Sequence, residues 1–210
     1  MDTIAIFGAT GKTGRRVLAR AISAGYEVQA LVRDPAKVVA RPDQLRLVQG
    51  DVLDGEAVDR AVAGAAAVLS LFGQVKGSPR TLQTDGTRLI VDSMRRHGVT
   101  RLVTLSGGGL RAPEDRPGPF DHVMRLLLKT LAGHVLADAE GHLQVLQNSA
   151  LDWTVVRGPR LTEDPGQGSY RVGYVGGGSS SSISRDDLAD FILTQVADRS
   201  YVGKLPFVTN

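Results

Sequence analysis

The sequence predicts a doubly wound α/β fold, a mostly parallel sheet covered by helices on both faces. Three observations predict it. Short apolar runs alternate with amphipathic stretches at an interval that requires crossover connections. The first run, Ile4 to Phe7, is continuously apolar, as expected of a strand buried on both faces. That run also ends directly in a glycine-rich loop that opens a helix.

The elements follow in order. After the strand at 4–7, Val17, Leu18, Ala21 and Ile22 share one face of a helix over 12–24, with Arg15, Arg16 and Arg20 elsewhere on its surface. Gly25 stops it, and 26–32 reads as the second strand. Residues 45–48 give a third strand, 56–63 a short helix, and 66–71 a fourth strand. Leu82, Leu89, Ile90 and Met94 recur at helical spacing up to His97-Gly98. Residues 101–105 and 153–156 complete six strands.

Two segments interrupt this rhythm. Residues 107–119 are rich in glycine and proline. Residues 158–182 read as a loop-rich insertion, a small substrate-side region containing the glycine–serine run 176–182. That run suits either a solvated loop or a mobile rim over a substrate pocket. Ser184 is then placed to cap a last helix, with Asp187 three positions on and Leu188, Ala189, Ile192, Leu193 and Val196 facing inward. No repeat or linker divides the chain, so 1–210 is expected to form one domain.

Composition narrows the function. Hydrophobic residues make up 42% and charged residues 22%, values that argue against disorder. The net charge of +3 is too mild to imply nucleic acid, and it suits an anionic small-molecule ligand. Without cysteine there is no disulfide, thiolate catalyst or thiolate metal site. The amino terminus lacks the pattern of a signal peptide, and the most apolar stretch, 61–73, is too short to span a bilayer. A cytoplasmic protein with no membrane partner is expected, as a monomer or small homo-oligomer.

The loop Gly8-Ala9-Thr10-Gly11-Lys12-Thr13-Gly14 carries the chemistry. Gly8 permits a tight turn, Gly11 lets backbone approach a diphosphate, and Gly14 lets helix pack on strand. The amides and positive dipole end of that helix attract phosphate. A P-loop would need glycine where Ile6 stands. At the end of the second strand an NAD-binding chain places an acid for the ribose 2′-hydroxyl, whereas here Arg33 suits a 2′-phosphate. Asp34 could take the acid's role if the strand ran one residue longer. NADP(H) is therefore expected in preference to NAD(H).

His134, Asp138 and His142 fall at steps of four and could share a helix face, but no fourth ligand is evident and no metal is expected. His97 and His122 read as surface or helix-end residues.

The glycine loop, Ala24-Gly25-Tyr26-Glu27-Val28, Leu31-Val32-Arg33-Asp34, Gly50-Asp51-Val52-Leu53, His97-Gly98-Val99, the stretch from Leu151 to Arg157 and that from Ile183 to Leu188 together resemble the atypical short-chain dehydrogenase/reductases of the NAD(P)-binding Rossmann superfamily. The likeness is to the flavin- and biliverdin-reducing members. It implies that Arg33 meets the 2′-phosphate, and that Asp51 and Val52 meet the adenine. By the same likeness Leu71, Phe72 and Gly73 line the cofactor, and Ser106 lies beside the nicotinamide as the candidate catalytic residue. Gly158, Pro159 and Arg160 would close the far side, with Arg160 steadying an anionic substrate. The loop 107–119 and Arg160 itself depart from that pattern.

Ordinary members protonate a carbonyl oxygen with a Tyr-x-x-x-Lys pair. None of Tyr26, Tyr170, Tyr174 and Tyr201 is followed by lysine at that spacing. A delocalised acceptor needs less help, because stacking on the nicotinamide supplies proximity and solvent supplies the proton. The sequence thus predicts an NADPH-dependent reductase of a planar acceptor: flavin, quinone or tetrapyrrole. The alternative is a redox-sensing regulator that binds NADP without turnover. Ser106 also has a structural reading, and Thr104 excludes a hydrolase elbow around it.

Overall fold

The structure is a computed structural model, which describes residues 2–176 and 180–210. It contains the strands β1 (Thr3–Phe7), β2 (Glu27–Val32), β3 (Leu45–Gln49), β4 (Ala67–Ser70), β5 (Arg101–Gly107) and β6 (Asp152–Gly158). Three-residue strands follow: β7 (Arg160–Thr162), β8 (Arg171–Gly173), β9 (Ser182–Ser184) and β10 (Phe207–Thr209). The helices are α1 (Gly14–Ser23), α2 (Gly55–Val62), α3 (Leu82–His97), α4 (Pro119–Leu131), α5 (Gly133–Gln147) and α6 (Arg185–Thr194).

Eight strands form one sheet in the order β3-β2-β1-β4-β5-β6-β10-β8, while β7 and β9 pair separately. Every neighbour in the large sheet is parallel except β10 and β8. The chain leaves β1 in one direction, through β2 to β3, and resumes on its other side at β4. The carboxyl ends of β1 and β4 therefore border a crevice, the place where such sheets bind ligands.

Alternation along the strands sends side chains to two cores. Ile4 and Ile6 pack with Val17, Leu18 and Ala21 of α1 and with Leu188 and Ile192 of α6. Ala5 and Phe7 face the opposite side, against α2, α3 and α5 through Val58, Ile90, Met94 and Leu146. Burying one such Leu or Ile contributes roughly 1.5–3 kcal/mol, so the two clusters fix the sheet that carries the crevice.

The six expected strands are all present, with ends shifted by a residue or two. Residues 12 and 13 belong to the turn before α1 rather than to the helix, because Gly11 N–H closes that turn on Gly8 O at 3.0 Å. Asp54 caps α2, accepting from the amides of Glu56 and Ala57. Ser184 caps α6 as expected, with its Oγ accepting from Asp187 N–H at 3.0 Å.

Within the loop-rich segment 158–182 the structure also builds β7, β8 and the start of β9. Strands of three residues are too short to show a period, and their pairing partners are distant in sequence. Residues 177–179 of the glycine–serine run lie outside the described residues. α4 and α5 fill the stretch before β6, and β10 extends the sheet beyond the six strands read from the sequence.

The loop after β5 is held by a buried ion pair. Arg157 of β6 grips Asp115 through Nη1 and Nη2, both at 2.8 Å. Burial alone would raise the Asp115 carboxyl; the Arg157 guanidinium and the amides of Ala112 and Val175 outweigh it and hold it below the usual range.

On α5 the three expected residues part company. Asp138 accepts from the Gln83 and Thr84 amides at the start of α3, both at 2.9 Å. His142 lies between the hydroxyls of Thr87 and Thr104, at 2.7 and 3.1 Å. His134 is exposed. Among the described residues no cluster suits a metal. His97 ends α3, with its Nε2 3.1 Å from Asp59.

Candidate functional site

A groove of about 530 Å³ runs along the crevice between β1 and β4. Its floor is the glycine loop, where Gly8, Thr10, Gly11, Lys12 and Thr13 all line it. Gly8 adopts φ +83°, and a Cβ there would come within 2.7 Å of Phe72 N. A Cβ on Gly14 would reach 2.0 Å from Gly8 O, so that glycine lies beneath the turn and lets α1 start against it. Gly8 thus keeps backbone, not side chain, at the surface of the groove.

The amino end of α1 is prepared for an anion. Thr13 at the cap position makes no side-chain cap bond, and the first turn carries no acidic residue. The first amides of a helix have no partner within it and carry the positive end of the dipole. A phosphate would satisfy both needs.

One wall follows β2 and β3. Arg33 lies just past β2, exposed and lining the groove, and forms no ion pair among the described residues. Asp34 is committed elsewhere: it accepts from Ala36 N–H at 3.0 Å and lies 3.9 Å from Lys37 Nζ. Gly50, Asp51 and Val52 continue this wall. Asp51 Oδ1 accepts from Leu53 N–H at 3.0 Å, which fixes the turn.

The other wall is the segment after β4, where Leu71, Phe72 and Gly73 line the groove together with Gln74 and Val75. Gln74 has a defined orientation. Its Nε2 donates to Arg80 O at 2.6 Å and to Asp138 Oδ2 at 2.7 Å. Both partners can only accept, so the atom facing them must be nitrogen, and the amide oxygen turns away.

Five expected residues do not line the groove: Ser106, Gly14, Gly158, Pro159 and Arg160. Leu105 and Leu161 stand there instead. Strand alternation explains the first case, since Leu105 and Ser106 face opposite sides of β5. Ser106 shares its side with Thr104 and, 8% exposed, has a buried hydroxyl without a hydrogen-bond partner among the described residues. Arg160 opens β7 with its side chain exposed.

Sequence reasoning also missed Gln74, Leu161 and Arg185. Arg185 lines the groove and donates from Nη1 to Thr13 Oγ1 at 2.9 Å. Its place directly after a predicted cap residue, Ser184, was the available signal. No local pattern could show that α6 starts beside α1.

The NAD(P)H-binding family model matches residues 8–199. An uncharacterized chloroplastic protein of Arabidopsis thaliana is 29% identical over 194 residues, spanning 88% of this chain and 68% of that one. Among solved structures, a short-chain dehydrogenase/reductase of Veillonella parvula in complex with NADP has a TM-score of 0.77 at 17% identity, covering 100% of this chain and 94% of that one. ChuY of Escherichia coli O157:H7, titled an anaerobilin reductase, has a TM-score of 0.76 at 20% identity, covering 99% and 96%. No helix among the described residues is long and apolar enough to cross a membrane. With its fold and the span of that match, the chain belongs to the NAD(P)H-binding family.

Proposed function

We propose that the protein is an NADPH-dependent reductase of a planar redox acceptor: a flavin, a quinone or a tetrapyrrole. The observation that carries the cofactor choice is Arg33, a guanidinium on the groove wall with no ion pair among the described residues, with neighbouring Asp34 committed to a turn. Charge-assisted bonds from Arg33 to a 2′-phosphate are worth roughly 1.5–3 kcal/mol. Asp51 and Val52 flank the adenine, and the amino end of α1 with Lys12 faces the diphosphate. Leu71, Phe72 and Gly73 exclude water along the remaining length.

The reduced nicotinamide supplies the hydride when bound. The chain's own part is to orient the acceptor and keep the site dry. Ser106 offers its buried hydroxyl as a hydrogen-bond donor, and Pro159 and Arg160 border the acceptor, with Arg160 attracting an anionic one. The described tyrosines have no lysine at the spacing used for carbonyl reduction, which favours acceptors that take a proton from solvent. The neighbour titled as an anaerobilin reductase supports a tetrapyrrole among them.

The test is oxidation of NADPH by purified protein given FMN, FAD, a quinone and biliverdin in turn. Turnover with at least one supports the reading. Tight NADPH binding without turnover across the panel overturns it in favour of a regulator. Arg33→Asp is expected to erode the preference for NADPH over NADH by about 10- to 150-fold. Unchanged discrimination removes Arg33 from the cofactor site.

A further inference from the structure

We propose that Arg185 and Lys12 clamp the diphosphate bridge of the dinucleotide, and that Glu163 latches these two cations until the bridge displaces it. The inference rests on the groove being a dinucleotide site, and it concerns a part of the chain remote from the glycine loop in sequence.

The short pairing of β7 with β9 builds the clamp. Thr162 is in register with Ser184, which sets the next residues, Glu163 and Arg185, side by side. Arg185 Nε donates to Glu163 Oε1 at 3.0 Å. Lys12 Nζ lies 3.3 Å from that same oxygen, and Arg16 Nη2 lies 3.0 Å from Oε2. A single carboxylate thus serves three cations. Asp186 serves Arg16 a second time and also Arg20, at 3.3 and 3.0 Å. Four cations share two carboxylates here. The excess is two positive charges, which is the charge a diphosphate diester would neutralise.

Position selects two of the four. Lys12 and Arg185 line the groove, whereas Arg16, Arg20 and Glu163 do not. Arg185 is tied to Thr13, which holds its guanidinium beside the uncapped end of α1. The latch is loose by contrast. The Glu163 and Lys12 side chains are 51% and 64% exposed, and exposed ion pairs of this kind are weak and screened by salt. A diphosphate offers the same cations a doubly charged partner in a drier place.

Calorimetry with NADPH, NADH and ADP-ribose tests the clamp, because the three share a diphosphate and only NADPH carries the 2′-phosphate. Arg185→Gln should weaken all three by a similar factor, at least about tenfold, leaving the NADPH-to-NADH ratio intact. Glu163→Gln should tighten all three by about threefold at low salt and less at high salt. Unchanged affinity in Arg185→Gln, or a loss confined to NADPH, overturns the clamp. Weaker binding in Glu163→Gln overturns the latch, and that variant decides alone if Arg185→Gln fails to fold. Wild-type protein that binds none of the three defeats the underlying reading of the groove, an outcome separate from normal binding that ignores Arg185.

Discussion

Arg157 and Arg33 both stand near the carboxyl ends of strands in the same sheet, and the chain treats them in opposite ways. Arg157 is 0% exposed, and its five N–H groups are all used: two on Asp115, two on Leu205 O and one on Leu110 O. Arg33 is exposed beside the groove and pairs with no acid among the described residues. A guanidinium whose donors are saturated from within holds structure together. One left unpaired on the wall of a groove, near a helix end without an acid, is reserved for an anion from outside.

The comparison is broken most directly at Asp115. Asp115→Ala leaves the Arg157 charge buried and unpaired, which costs about 3–5 kcal/mol. Denaturant unfolding should show that loss, together with release of the loop after β5 from residues 173–175. Arg33→Ala should change stability by less than about 0.5 kcal/mol while weakening NADPH. Equal stability losses in the two variants would erase the distinction drawn between the two arginines.

Half of this contrast was legible in the sequence. The glycine loop, the β1–α1–β2 unit and Arg33 are local: each follows from residues within one strand–helix–strand passage. The part of the groove that Arg185 lines is not local. The Arg185–Thr13 bond joins positions 172 apart, and the strands β7 and β9 that aim Arg185 have three residues each. The Arg157–Asp115 pair spans 42 positions and a loop whose glycines and prolines advertise only irregularity. His142 was ambiguous for a different reason. A histidine at helical spacing from an acid looks the same whether it awaits a metal or fills a hydrogen-bonded core, and only the hydroxyls of Thr87 and Thr104 decide for the core.

His142 extends the comparison to protons, with an effect of intermediate size. Burial pushes its imidazole down to about 4, against a smaller opposing pull from Asp138. The folded state therefore binds the proton less well than the unfolded chain does. Stability is fully present above the ordinary histidine value of about 6.5 and falls as pH drops from there toward 4. The loss across that window is about 3 kcal/mol, from the linkage between pKa and folding. A titration of unfolding free energy should show the slope, and His142→Gln should flatten it. A wild-type slope unaltered by that substitution would transfer the acid sensitivity to another group.

Ser106 gives the smallest expected effect and the sharpest use of the comparison. Two residues earlier on the same side of β5, Thr104 has its hydroxyl satisfied by His142, whereas the Ser106 hydroxyl is buried with no partner among the described residues. A buried hydroxyl in that state costs about 1–3 kcal/mol unless something supplies a partner. If the partner is the bound acceptor, the cost is recovered only in the working complex. Ser106→Ala should then leave NADPH affinity unchanged and stability equal or slightly higher, while lowering kcat/KM for the acceptor by about tenfold. Thr104→Val should do the reverse, losing stability with little change in turnover per folded molecule. Full turnover in Ser106→Ala would place that hydroxyl with Thr104 among the groups that serve only the fold.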